Sequence, residues 1–147
     1  IIYMFLLLGV FTIILSLKKD DKPIELISDL KGLYNNHPFI SISLLIFMFS
    51  LAGIPPLSGF FGKWLIFYSA VQSEFYLLAI LGVLFSVISA FYYLKIIRYV
   101  FFENTDVPLE FIQNSEIKFM MYISLFITLL FFLILPLISN YVDNIKI

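Results

Sequence analysis

The sequence contains no cysteine, one histidine (His37) and one tryptophan (Trp64). Without cysteine there are no disulfides, no thiolate metal sites and no iron–sulfur clusters. One histidine leaves no haem or metal constellation, so this chain is expected to carry no electrons and to bind no cofactor. Charge is scarce too. Only 13% of the 147 residues are Asp, Glu, Lys or Arg, and a net charge of −1 argues against a nucleic-acid partner. The opening Ile1-Ile2-Tyr3 lacks the basic stretch and cleavage site of a signal peptide, so the chain is expected to begin in mid-helix, either as a split or processed piece or from an unusual initiator codon read as isoleucine.

What is abundant is apolar surface. The chain is 62% hydrophobic, with 18 Phe and 9 Tyr, and its mean hydropathy is +1.05. A soluble domain of this size could not bury so much, so the expected class is an all-α polytopic membrane protein, a single membrane domain over 1–147. Spans are predicted at about 1–17, 38–73, 76–102 and 117–140. Between the first two, Pro23 and the spacing of Ile24, Leu26, Ile27, Leu30, Leu33 and Tyr34 predict a short interfacial amphipathic helix over about 23–36.

The stretch 38–73 is the odd one. As a continuous helix its 36 residues would reach about 54 Å, far beyond a hydrocarbon core of about 30 Å. Gly53, Pro55, Pro56, Gly59 and Gly62 break it near 53–59, leaving half-helices too short to span alone. It either crosses once, interrupted, or re-enters as a hairpin. A single crossing puts Lys18, Lys19, Lys22, Lys31, Lys95, Arg98 and Lys118 on one side and only Lys146 on the other, whereas a hairpin splits the seven four against three. The positive-inside rule favours the single crossing. The expected architecture is four crossings, the second a discontinuous helix.

Lys63 is the only charged residue between Phe39 and Ser73. An ammonium at bilayer depth costs roughly 2.5–3.5 kcal/mol on insertion scales, so it is rare without a task or a partner. Beside a broken helix, whose freed backbone groups line a polar path, it points to an ion or proton relay. Desolvation and nearby charge pull a lysine's proton affinity in opposite directions, and a group so balanced can gain and lose a proton as its neighbours change. The bland reading is a lysine that snorkels or pairs structurally. Lys95 and Arg98, at i, i+3 near the end of the third span, read as interfacial anchors beside Tyr92, Tyr93 and Tyr99, with Lys95 also a relay candidate. His37, at a polar-to-apolar boundary, and Glu74, in a tight turn, are candidates for a proton entrance and exit; a solvated helix start and an exposed turn are the favoured readings of the two.

Leu51–Phe67, and above all Gly59-Phe60-Phe61-Gly62-Lys63-Trp64, resembles the broken-helix region of the antiporter-like membrane subunits of respiratory complex I, NADH:ubiquinone oxidoreductase. That family also includes subunits of Mrp cation antiporters and membrane-bound hydrogenases. Within it the motif is similar to the branch called subunit 2, or subunit N in bacteria. Ile1–Leu17, Asp29–Leu33, His37-Pro38, Tyr92–Lys95 and Lys118–Val142 follow the family's order over its C-terminal third. The resemblance implies outward proton translocation, with Lys63 as the relay and Lys95 as a second member of the path. It implies that NADH, FMN, iron–sulfur clusters and ubiquinone belong to other subunits. The implied partners are other membrane-arm subunits, including a chain that supplies the N-terminal helices if the subunit is split, and the lipid bilayer. The implied location is the mitochondrial inner membrane, which the Phe-, Ile- and Asn-rich composition suits, or a bacterial plasma membrane. Two other classes stay open: a subunit of an Mrp-type cation/proton antiporter, and a purely structural membrane-arm fragment.

Overall fold

The computed structural model describes residues 2–105, 107–112 and 114–145, with side chains described as far as residue 131. Lys146, expected on the side opposite the other basic residues, lies outside the described residues. The fold is mostly helical. Helix α1 (Ile2–Leu15) leads into a hairpin of two short strands, β1 (Leu17–Lys19) and β2 (Lys22–Pro23). Asp20 and Asp21 form its two-residue turn at φ 52 and 59. Positive φ at both central residues matches the right-handed twist of the strands, and aspartate tolerates that region better than most residues. A third strand, β3 (Glu110–Phe111), pairs antiparallel on the other side of β1, with Leu17 opposite Phe111 and Lys18 opposite Glu110. The Ile112 N–H donates to the Ser16 carbonyl at 2.9 Å and extends the joint. This small sheet has no forerunner in the sequence reading, because its strands are too short to show a period of two.

The amphipathic helix expected over 23–36 is not one helix. The segment forms a 3₁₀ turn at Ile27–Leu30 and, after a break, a one-turn helix α2 (Leu33–Asn36). The Leu26 N–H donates to the Asp29 carboxylate at 3.0 Å and closes the first turn. Gly32, at φ 69, ends it, and backbone and side chain of Thr105 lie 3.3 Å from where its Cβ would stand. Leu30 and Leu33 do point inward, both buried in the main core. Leu30 and Leu33 thus serve the protein interior, while Leu26, Ile27 and Tyr34 stay exposed.

Helix α3 (Pro38–Ala52) starts with a proline in its first turn, where the missing N–H costs nothing. Helix α4 (Ser58–Gln72) follows after a link over 53–57 that contains a cis Pro55–Pro56 peptide. Helix α5 (Tyr76–Phe102) is 27 residues long, about 40 Å. Among the described residues it is the helix long and apolar enough to cross a bilayer unaided, while α1 and α3 are shorter apolar helices of 14 and 15 residues. Helix α6 (Ser115–Ile145) packs along α1.

The core lies between α1, α3 and the last turns of α5. Leu6, Val10 and Ile13 of α1 meet Leu44, Phe47, Met48 and Leu51 of α3 and Ile97 and Val100 of α5. Gly9 lets the Phe47 ring settle against the α1 backbone. Just before α3, Tyr34 packs on Phe101 near the end of α5 at 5.0 Å. The last residue of α3, Ala52, shares the Lys63 ammonium with Ser86, and Phe67 of α4 packs on Gly82. From 34 to 52 and on to 67 the α5 partners fall from 101 to 86 to 82, so α3 and α4 both run antiparallel to α5. The opposite flank of α4 and α5 stays bare, with Leu65, Leu77 and Phe85 all more than three-fifths exposed.

Candidate functional site at the interruption between α3 and α4

The last turn of α3 sets up the site. Gly53, at φ 84, turns its N–H back to the carbonyls of Phe49 and Ser50, and the Ile54 N–H also bonds the Phe49 carbonyl at 3.1 Å. A helix end leaves its last carbonyls without intrahelical partners. One of them, on Ala52, takes a hydrogen bond from the Lys63 ammonium at 3.1 Å. The partial negative charge at the α3 C-terminus therefore faces a cation, the favourable pairing for a helix dipole.

A serine clasp holds the two helices in that arrangement. Ser50 of α3 and Ser58 of α4 share a hydrogen bond at 3.1 Å, and the Gly59 N–H donates to Ser50 Oγ at 3.0 Å. Ser50 thereby caps an orphan N–H at the start of α4, where Leu57 offers no side-chain cap. Ser50, Ser58 and Gly59 are all buried. Gly59 is required by close approach, since a Cβ there would overlap the Ser50 carbonyl. The absent Gly53 side chain makes room for the Lys63 stem, whose Cδ lies 3.0 Å from the virtual Cβ.

Lys63 sits in the second turn of α4, half-buried, and its Nζ donates to the Ser86 hydroxyl of α5 at 2.6 Å. Among the described residues no carboxylate lies within ion-pair distance of it. Both of its bonds go to neutral oxygens. Gly62 gives passage to the Tyr3 ring of α1, and the Tyr3 hydroxyl approaches the Gly59 carbonyl at 3.5 Å. The interruption thus gathers α1, α3, α4 and α5 around one ammonium.

The other sequence candidates lie elsewhere. Lys95 is exposed on α5. Nine residues beyond Ser86, it stands about 13 Å along the axis and half a turn around, on the face away from Lys63. Arg98 pairs with Glu103 at 3.3 Å, and Lys31 pairs with the same carboxylate at 2.9 Å. His37 Nε2 makes a hydrogen bond with the Leu109 carbonyl at 3.0 Å, tying the α3 start to the segment after α5. It lines a cavity of about 240 Å³ with Lys118, Met121 and Tyr122, at the far end of α3 from Lys63. Glu74 is exposed in the α4–α5 turn at φ 62. Pro55 and Pro56 are exposed in the link and touch the lysine through no hydrogen bond.

Sequence reasoning missed Ser50, Ser58 and Ser86. Each is one serine in an apolar helix, a type that ordinarily bonds its own helix, and no spacing rule links residue 86 to residue 63. The Ala52 carbonyl could not be named in advance because every residue has one.

A mostly helical fold with apolar outward faces and an ammonium held at a helix interruption defines a membrane-embedded protein. The family described as "NADH:quinone oxidoreductase/Mrp antiporter, TM" matches residues 1–89, and the chain belongs to that family. It is similar to the NADH-quinone oxidoreductase subunit N of Rhodospirillum rubrum, 42% identical over 132 residues, and to that of Pelagibacter ubique, 42% identical over 146 residues. These alignments cover 90% and 99% of this chain but 27% and 31% of the relatives, so the chain spans under a third of their length. Among solved structures it resembles a chain of respiratory complex I from Thermus thermophilus, with a TM-score of 0.69 at 28% identity, covering 91% of this chain and 32% of that one.

Proposed function

We propose that this chain is the C-terminal part of an antiporter-like, proton-translocating membrane subunit of an NADH:quinone oxidoreductase. Lys63 is its proton relay. The observation that carries this is the Lys63 ammonium held at the α3–α4 interruption by the Ala52 carbonyl and the Ser86 hydroxyl. A structural lysine at this depth would be expected to face a carboxylate, because an unpaired buried charge is costly. A lysine held only by neutral oxygens has no carboxylate to fix its charge, and so can lose and regain its proton. The names of the relatives favour a redox-linked complex over an Mrp-type antiporter.

In this reading 38–73 crosses the bilayer once, interrupted at 53–57, and is the second of four crossings over 1–17, 38–73, 76–102 and 117–140. What supports it is the common antiparallel sense of α3 and α4 against α5. The sheet also joins the polar segments that follow α1 and α5, as expected if both lie on the inner side. His37 and Glu74 stand at the inner and outer ends of that crossing. Lys95, facing outward, joins the path only through a neighbouring chain. NADH, FMN, iron–sulfur clusters and quinone would reside in other subunits, and the chain's partners would be the rest of a membrane arm. The setting is a respiratory membrane, the mitochondrial inner membrane on composition.

The test is Lys63→Met in the assembled complex, which keeps length and apolar packing and removes the titrating group. Protons moved per electron, or NADH oxidation itself if coupling is tight, fall at matched complex content. Arg at this position does not restore them, because a guanidinium is a fixed charge. Normal pumping by Lys63→Met leaves only the structural-fragment reading.

A further inference from the structure

Three serines in the apolar helices of this chain bond backward to their own backbone, outside the clasp of Ser50 and Ser58. The Ser41 hydroxyl donates to the His37 carbonyl, Ser43 to Phe39 and Ser89 to Phe85, each four residues earlier. Ser86 departs from that pattern and meets another helix, at the 2.6 Å bond to Lys63 Nζ. Two close approaches produce this bond. Gly82, one turn before Ser86, lets the Phe67 ring pack so closely that a Cβ there would stand 2.7 Å from it. Phe67 is one turn after Lys63, so the pairs 63–86 and 67–82 are successive rungs of one antiparallel helix contact. Ser86 also lies on α5, a continuous helix that does not share the α3–α4 interruption, and so holds the lysine from a fixed wall.

The two partners of Lys63 differ in chemistry. The Ala52 carbonyl can only accept a hydrogen bond, so it serves the nitrogen through its N–H groups alone. A serine hydroxyl both accepts and donates. When Lys63 passes a proton to water, one N–H bond breaks, one O–H bond forms on the water, and a lone pair is left on Nζ. The Ser86 hydroxyl can then turn and donate to that lone pair.

We infer that Ser86 is a positioning residue of the relay, holding the Lys63 nitrogen in place in both its charged and its neutral state. The inference rests on the relay reading of Lys63 and assigns to Ser86 what neither the sequence motif nor the family resemblance assigns. Without the hydroxyl, neutral Lys63 keeps only its N–H bond to the Ala52 carbonyl and its lone pair has no side-chain donor, so the nitrogen is held at one point instead of two through the cycle.

The test compares Ser86→Thr with Ser86→Val in the assembled complex. Threonine and valine have nearly the same shape and differ by the hydroxyl, so a packing role treats them alike. Protons moved per electron, measured in sealed vesicles at matched complex content, stay near the parent level for Ser86→Thr and drop toward the level of Lys63→Met for Ser86→Val. Ser86→Ala follows valine. Equal coupling in the threonine and valine variants overturns the inference, whether both are normal or both defective. If the branched residues prevent assembly, Ser86→Ala against the parent decides, and normal coupling there overturns it. Normal coupling in Lys63→Met is a separate result, which removes the relay reading beneath the inference.

Discussion

At the residue scale, the interruption depends on two glycines for different reasons. Gly53 needs its positive φ, a region that costs an L-residue roughly 1–2 kcal/mol. Its virtual Cβ also sits 3.0 Å from the Lys63 Cδ, the middle of a flexible stem that can shift a little. Gly59 has an ordinary φ but no space, because a Cβ there would run into the Ser50 carbonyl, which is backbone and cannot yield. Gly59→Ala is therefore the more damaging change: it pushes α4 off α3 and pulls the Gly59 N–H away from Ser50 Oγ, leaving a buried donor unpaired at about 1–3 kcal/mol. The expected order of assembled complex on native gels is parent, then Gly53→Ala, then Gly59→Ala. The reverse order would show that the clasp is not what joins the two helices.

At the element scale, the polar segments after α1 and after α5 form one unit. The sheet, the Lys31–Glu103 pair and the 3.0 Å bond between the Asn35 and Asn104 side chains bind 17–37 to 103–112. Exposed ion pairs contribute little each, about 0–1 kcal/mol, so the backbone bonds of the sheet carry most of this joint. A single crossing by α3 and α4 puts this unit and the α4–α5 turn on opposite faces of the membrane. Because the chain has no native cysteine, single thiols report position without background. Asp21 and Glu74 sit at positive φ and make poor sites, so Glu25→Cys and Ser73→Cys are chosen, both exposed. An impermeant thiol reagent added from one side is expected to label one variant and spare the other. Labelling of both from the same side would favour the hairpin.

At the scale of the whole molecule, the apolar surface is distributed unevenly. The core gathers between α1, α3 and the last turns of α5, while Met4, Phe11 and Trp64 are each more than half exposed on α1 and α4. Lipid tails accept such faces without cost, but the relatives are more than three times as long as the matched region, and on the proposed reading further helices of such a subunit would pack against this chain. Faces of α1 and α4 next to the interruption are where those helices would complete a polar path. Photo-crosslinkers at Met4 and Trp64 are expected to capture protein, either the same polypeptide or a neighbouring one, whereas a crosslinker at Phe85 on the outer face of α5 takes lipid. Lipid adducts alone at Met4 and Trp64 would remove the case for helices covering that face.

The class of protein and the central lysine were legible in the sequence because both depend on composition along the chain. Apolar runs, their breakage by Gly53–Gly62 and an isolated charge at residue 63 need no folded partner to be seen. The opposite was true of 23–36, where helical spacing was present but the helix was not, since Gly32 and the packing of Thr105 outweighed a weak local preference. What holds the lysine was decided only by tertiary structure. Ser50 is eight residues from Ser58, and Ser86 is 23 residues from Lys63. Hydrogen bonds at such separations follow from how α3, α4 and α5 approach one another, and that approach is set by which glycines leave room. A sequence records that a serine is present; the distance from its hydroxyl to the ammonium exists only once three helices have packed.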